Sequence, residues 1–520
     1  MSVRATERMR ASLDALTRVY TNDSKPDFAR RVSFTTVRED TRSRFERDAA
    51  RLERAVHRLA QAHPCMSARD LDTSIAPALL AVLAMLAVAT FATPGPALFV
   101  GALFGAVFAA CVLARLAVAM GFDRGRRAAE IAWTPPPVGD EAPFYTVLVA
   151  LHDEASEVPD LVAALDRLDW PREKLEIVLV CEADDDATLD AIRAHGLPEV
   201  FEVVAVPPAE PRTKPKALAY ALPQTVGDIV VLYDAEDRPG PLQLREASDA
   251  FRRGGPDLAC LQAPLYIDNH GEGVLPAIFA AEYSALFDAL LPTLAQCGGP
   301  VPLGGTSNHF IRRHLDRAGG WDPFNVTEDA DLGLRLARMG LRVGTLARAT
   351  DEEAPVELRP WITQRTRWFK GWLQTLLVHS RRPLGLWRDL GPRGFALFHI
   401  FVTGMVLSAL VHPFMLLGLV WHGSHVAMTG WSGADGATRV LLGIAVASIV
   451  LGYGAFIGMA WRTLPLRGLT GVRRALWGVP LYWVLMSCAA WRAVWQLHAA
   501  PSLWEKTPHG RSRRPAEARS

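Results

Sequence analysis

Apolar positions along the chain follow two different patterns. Residues 75–93, 97–120, 395–421 and 440–461 are almost unbroken apolar runs, each long enough to cross a bilayer. Pro94, Gly95 and Pro96 make a turn between the first two. A fifth run, 475–497, is interrupted by Pro480 and Arg492 and carries four tryptophans, Trp477, Trp483, Trp491 and Trp495. Between the two pairs the apolar runs shorten to strand length and alternate with helical spacing. Residues 145–151, 175–181, 200–206 and 228–233 predict buried strands; 158–168, 189–195 and a segment through Leu222 predict helices. Strand and helix in alternation predict an α/β unit with a mostly parallel sheet, inserted between two transmembrane hairpins.

Composition adds limits. The 520 residues are 50% hydrophobic with a net charge of +1, which gives no case for nucleic-acid binding. Six scattered cysteines form no C-x-x-C pair, against a zinc or disulfide framework and in keeping with a reducing compartment. The polar, charged opening is not that of a secretory signal. Arg124, Arg126 and Arg127 follow the second run and Arg462, Arg467, Arg473 and Arg474 the fourth, whereas 422–438 holds no Lys or Arg. The positive-inside rule therefore predicts a multi-pass membrane protein with its central domain cytoplasmic.

The expected organisation is a cytoplasmic amphipathic segment 1–72, a hairpin 73–121, a Pro-rich linker 122–143 and a domain 144–392. A second hairpin 393–461, a basic loop with an interfacial or re-entrant helix 462–499 and a cytoplasmic tail 500–520 follow. In the first segment Phe45, Leu52, Val56 and Leu59 share one helical face, either solvated or a regulatory or partner surface.

Candidate chemistry collects at strand ends, where open α/β sheets bind ligands. The first strand runs into His152-Asp153-Glu154, the second into Glu182-Ala183-Asp184-Asp185 and the fourth into Asp234-Ala235-Glu236-Asp237. Lys214, Lys216 and Arg238 sit in neighbouring loops. Carboxylates with cations suit a nucleotide diphosphate held with Mg²⁺ or Mn²⁺, Asp234 and Glu236 being placed to hold the ion. No glycine-rich phosphate cradle is present, which argues against ATPase and dehydrogenase chemistry. Gly304 to Phe310 contains Gly305, Thr306 and Ser307, small and polar where a chain can pass close to a sugar. Thr327-Glu328-Asp329 opens a helix that Thr327 can cap; the two acids are either capping charges or a general base. Gln364, Arg367 and Trp368 share one face of a helix expected over 360–378, interfacial by position, and offer a guanidinium for phosphate and an indole for a sugar face.

The acidic loop at Glu182, the D-x-D equivalent Asp234-Ala235-Glu236, the T-E-D at Thr327 and the Q-x-x-R-W at Gln364 occur in one order between two hairpins. Together they resemble the membrane-embedded family 2 glycosyltransferases of the cellulose-synthase-like type, and the phrases around Thr213, Tyr233 and Gly304 resemble its bacterial mixed-linkage β-glucan branch. The resemblance implies a GT-A fold in a bacterial inner (plasma) membrane, a UDP-sugar donor (glucose first) and inverting, processive synthesis of a β-glucan exopolysaccharide on a glycan acceptor. It leaves two alternatives: single addition to a lipid or lipid-linked acceptor, and an idle scaffold of an export complex. By resemblance Asp184 or a neighbour contacts uridine, Asp234 and Glu236 hold the metal, and Asp329 is the base with Glu328 and Thr327 in support. Gln364 and Arg367 cradle diphosphate, with Asp153, Glu154, Glu182, Lys214 and Lys216 around the donor, and Trp368 supports the acceptor. Glu236 departs from the usual Asp, so Asp237 is a further ligand choice. The short tail implies no cyclic-di-GMP-binding barrel and leaves regulation to residues 1–72 or to regulatory or export partner proteins.

Overall fold

The computed structural model describes residues 39–73, 94–501 and 503–505. The first predicted span, 75–93, and the end of the tail lie outside these residues. Helix α1, Glu39–Ala62, leads into a short turn, and helix α2, Pro94–Gly121, follows the undescribed stretch. The domain then begins with β1, Tyr145–Leu151, β2, Leu175–Glu182, and β3, Phe201–Val206. Helix α3, Lys214–Ala221, leads to β4, Ile229–Tyr233. After β5 (Arg238–Pro239), β6 (Leu258–Gln262) and β7 (Leu265–Ile267) comes helix α4, Val274–Ser284. Strand β8, Asn308–Ile311, helix α5, Glu328–Arg338, strands β9 (Arg342–Thr345) and β10 (Thr350–Glu352), and helix α6, Leu358–Ser380, complete the domain. Helices α7, Gly404–Thr429, α8, Gly436–Thr463, and α9, Val479–Ala499, form the C-terminal bundle.

Seven strands form one sheet in the order β3-β2-β1-β4-β8-β6-β9, and β5-β10-β7 form a smaller one. The pairs β1–β2, β1–β4, β2–β3 and β6–β9 are parallel, as alternation of strand and helix predicts. Strand β8 runs antiparallel to both neighbours, so the sheet is mostly parallel, as expected. The reversal matters for the site. With Leu232 opposite Asn308, the loop before β8 meets the carboxyl end of β4, and Ser307 N donates to Leu232 O at 2.7 Å. The central strands are buried on both faces, which explains their continuous apolar runs.

Among the described residues, four helical stretches are long and apolar enough to cross a membrane by length and composition: Ala97–Gly121, Val274–Gln296, Pro383–Thr429 and Gly436–Arg467. Ala97–Gly121 and Gly436–Arg467 have only 22% and 28% of their most apolar windows buried within the protein, so apolar surface faces outward. Val274–Gln296, which the sequence reading did not single out, is 72% buried and belongs to the domain core. Pro383–Thr429 is bent at Gly391 (φ +65°), which precedes Pro392, so the pair accounts for the break. The fifth run becomes a short 3₁₀ segment, Thr470–Gly478, and then α9, which packs along α6 through buried Ala489, Ala490, Ala493 and Val494.

Helices α5 and α6 are locked together, which fixes the T-E-D turn against the Q-x-x-R-W face. Asp331 accepts from Arg335 Nε at 2.7 Å and lies 2.9 Å from His379 Nε2, all three fully buried. Gly371 permits the close approach: a Cβ there would lie 2.3 Å from Thr327 Oγ1. Gly371→Ala is expected to destabilise the protein by about 1–3 kcal/mol, read as a lowered unfolding temperature, and to impair the site.

Candidate active site

The ends of β1, β2 and β4, the starts of α3 and α5, the loop before β8 and one face of α6 deliver the candidate residues to one cavity of about 640 Å³. Its domain wall contains Asp153, Glu154, Glu182, Lys214, Asp234, Glu236, Gly305, Thr306, Glu328, Asp329, Gln364, Arg367 and Trp368, all singled out from the sequence. The same cavity continues between Phe401, Met405, Ala409, Phe456, Met459, Trp483 and Met486 of the apolar C-terminal helices.

The D-x-D loop is held from behind. Asp237 accepts from Asp234 N at 2.7 Å and from the Thr306 hydroxyl, so Asp237 braces the loop and Thr306 faces it. Burial, followed by the charges of Asp234 and Glu236, raises the Asp237 carboxyl well above the usual range. Lys214 forms an ion pair with Asp234 and donates to Gly305 O at 2.9 Å, joining α3, β4 and the loop before β8. Thr213 caps α3 by accepting from Lys216 N, which sets Lys214 at the helix start.

Glu328 and Asp329 stand at the start of α5, in the fields of Lys214 and Arg367. Burial pushes Asp329 up to about 6. Burial and then the neighbouring Asp329 charge push Glu328 up to about 8. Both carboxyls are thus raised by burial, Glu328 the further, which leaves Asp329 the candidate base of the pair. Since a base works only when deprotonated, catalytic efficiency is expected to fall tenfold per pH unit below about 6 and to level off above it; a pH–rate profile checks this.

Several sequence expectations are corrected. Lys216 is fully buried and bonds Glu182 at 2.6 Å, so it neutralises that acid from behind and does not face the cavity. Asp184 pairs with Arg212 and lies outside the lining, while Arg212 lies within it. Ser307 is buried at φ +58°, and its hydroxyl donates to Thr350 at 2.6 Å, so it shapes the loop without lining the cavity. Thr327 occupies the cap position of α5, but its hydroxyl makes no capping bond. Among the described residues, His152, Asp153 and Asp185 lie together as a group of three metal-ligating side chains, in addition to the expected pair Asp234 and Glu236. Asp185 is already used: it accepts from Asp153 N at 2.6 Å and caps the helix at Thr188 N.

Other lining residues escaped the sequence reading. Arg365, interleaved in the Q-x-x-R-W motif, points away from Arg367 and forms a two-pronged pair with Glu282 at 2.8 Å, joined by Tyr482. Trp368 is thereby held between the Arg365 guanidinium, 4.5 Å from its ring, and Tyr283, stacked at 6.5 Å. Arg115 lies on a transmembrane-length helix, lines the cavity and stacks over Trp483 at 5.7 Å. Trp504 covers Arg367, whose guanidinium lies 4.5 Å from its ring. Lys370 and Gln374 hold the preceding segment by bonds to Leu503 O and Pro501 O. The charge and aromatic content of these positions was visible in the sequence, but their separation along the chain concealed that they meet.

Comparison with known proteins agrees with this geometry. The family described as "Glycosyl transferase family group 2" matches residues 229–495, just over half the chain, from the D-x-D strand through α9. A beta-monoglucosyldiacylglycerol synthase of Synechocystis sp. is 29% identical over 286 residues, covering 53% of this chain and 57% of that protein. The cellulose synthase 1 catalytic subunit (UDP-forming) of Komagataeibacter xylinus is 24% identical over 263 residues, 50% of this chain and 34% of that one. The chain thus spans about half the length, or less, of these curated relatives. A mannosyltransferase from Pyrobaculum calidifontis, solved with GDP-Man and Mn²⁺, aligns with a TM-score of 0.44 and 20% identity over 76% of this chain and 99% of that chain. On this family match over more than half of its length, the chain is a member of glycosyl transferase family group 2.

Proposed function

We propose that the protein transfers a sugar, glucose by preference, from a UDP-sugar to a hydroxyl of a glycan that occupies the membrane side of the cavity, building a β-linked polysaccharide. The observation that carries this reading is the continuity of one cavity from Asp234 and Asp329 to the membrane helices. Along it stand Tyr283, Trp368, Trp372, Tyr482, Trp483 and Trp504, flat faces on which sugar rings can stack.

In this reading the donor diphosphate lies among Lys214, Arg212, Gln364 and Arg367. The residues present fit a hard divalent cation: Asp234 and Glu236 offer carboxylate oxygens, and Asp237 Oδ1 is a buried acceptor with no partner. Asp234 and Glu236 would hold Mg²⁺ or Mn²⁺, which when bound supplies charge for the departing diphosphate. Asp329 accepts the proton of the acceptor hydroxyl as its oxygen bonds the anomeric carbon. The bond from that carbon to the diphosphate oxygen breaks, and UDP leaves with the electron pair. One displacement on an α-linked donor gives a β-glycoside. Lys214 and Arg367 stabilise negative charge as it builds on the leaving group.

Membrane geometry in this proposal keeps the domain, α1 and the tail on the cytoplasmic side. A second reading, addition of one sugar to a lipid acceptor, is favoured by the aliphatic part of the wall at Leu286, Leu290, Met405, Ala409, Met459 and Met486. Product size separates the two. With labelled UDP-glucose, the glycan reading expects large, glucanase-sensitive material; label confined to a small lipid-extractable product overturns it. An idle scaffold would release no UDP from any UDP-sugar.

A further inference from the structure

Residues 39–73 precede the matched family region, yet they are built into the domain at three points that bear on the site. Leu52, Ala55 and Val56 of α1 are buried in one apolar cluster with Leu218, Tyr220, Ala221 and Leu222 of and just after α3, the helix that starts at Lys214. Arg51 extends the contact by donating to Gln224 Oε1 at 2.9 Å. Farther along, Leu59 seats on Gly319, where a Cβ would lie 2.7 Å from its Cδ1. Arg58 pairs with Asp316 at 3.2 Å, and Ala68 N donates to Asp322 Oδ2 at 2.6 Å. Asp322 lies seven residues before Asp329 on a short connecting segment. Finally, Arg381, which follows α6, donates to Ser67 O at 2.9 Å.

Each contact falls on a different element that carries site residues: Lys214 through α3, Asp329 through 316–327, and Gln364 and Arg367 through α6. A single segment that touches all three fixes their relative positions, and catalysis depends on such placement. Packing alone would need one of these anchors; three anchors on three site-bearing elements tie the placement of the leaving-group cations to that of the base. We propose that residues 39–73 are a positioning strap for transfer, with Arg58, Leu59 and Ala68 as positioning residues that act through Asp316, Gly319 and Asp322. Its activity readout rests on the transferase reading; its structural readout does not.

The test uses the full chain in nanodiscs, comparing wild type, Leu59→Asp, Arg58→Asp and Arg58→Lys. Asp316 itself is left unchanged, because it also accepts from Arg312 Nε at 2.8 Å. Amide exchange is followed in 214–221 and 320–331 beside kcat and donor KM. Arg58→Asp is expected to speed exchange in both segments and to lower kcat about 3- to 5-fold at near-constant KM, on the scale of an exposed ion pair. Arg58→Lys, which keeps a cation for Asp316, should stay near wild type in both. Leu59→Asp should lower kcat by at least about 10-fold, since it puts a charge in an apolar seat. Faster exchange in α1 with unchanged exchange in 214–221 and 320–331 would overturn the strap, as would Arg58→Lys as impaired as Arg58→Asp. If Leu59→Asp does not fold, the two Arg58 variants still decide. If wild type transfers no sugar, the functional reading fails and the exchange data alone decide the strap.

Discussion

Asp329→Asn is expected to lower transfer by about 10³-fold or more while leaving UDP affinity within a few-fold of wild type. The substitution keeps size and shape but removes the group that takes the acceptor proton. Two features single out Asp329 over Glu328. Burial and the adjacent negative charge raise Glu328 further above its usual range than burial raises Asp329, so Glu328 is the partner that holds a proton more readily. A Cβ on Gly305 would come within 3.8 Å of Asp329 Oδ2, so the loop read as sugar-facing lies next to that oxygen. Glu328→Gln should therefore cost less than Asp329→Asn. Single-turnover transfer beside equilibrium UDP binding checks both; full transfer by Asp329→Asn would remove the base assignment.

Asp234→Ala should abolish the gain in UDP affinity that Mn²⁺ or Mg²⁺ brings, a loss of at least about 100-fold given the cost of disturbing metal surroundings. It also leaves Lys214 without its partner carboxylate, and Lys214 can then pair with phosphate directly. Metal-independent binding is therefore expected to survive in part. Titration calorimetry with UDP, with and without Mn²⁺, separates the two contributions. Unchanged metal-dependent affinity would move the ion elsewhere, and His152, Asp153 and Asp185 would be the next group to substitute.

Strand positions in the domain were legible because buried parallel strands read as short β-branched runs, and 145–151 matches β1 residue for residue. The acids at strand ends were legible for the same reason, since the sheet places them on one edge. Strand β8 was not. Its run Asn308–Ile311 is short and polar at its start, and its direction comes from pairing with β4 and β6, which no local pattern states. Side-chain direction was likewise hidden. Lys214 and Lys216 lie two apart at a helix start, and the helical turn sends one to the cavity and the other to Glu182. Leu52, Val56 and Leu59 of the apolar face expected in α1 are buried (the Phe45 side chain lies outside the described residues), but the seat of that face on α3 depends on residues some 160 positions later in the chain. Trp504 and Arg115 are long-range arrivals of the same kind.

The most direct test of the account is label incorporation by the purified, membrane-reconstituted protein supplied with UDP-glucose or UDP-N-acetylglucosamine and Mn²⁺ or Mg²⁺. The account predicts metal-dependent UDP release coupled to glucanase-sensitive polymer from UDP-glucose. Absence of UDP release from either donor, with the protein folded and UDP bound, would contradict it.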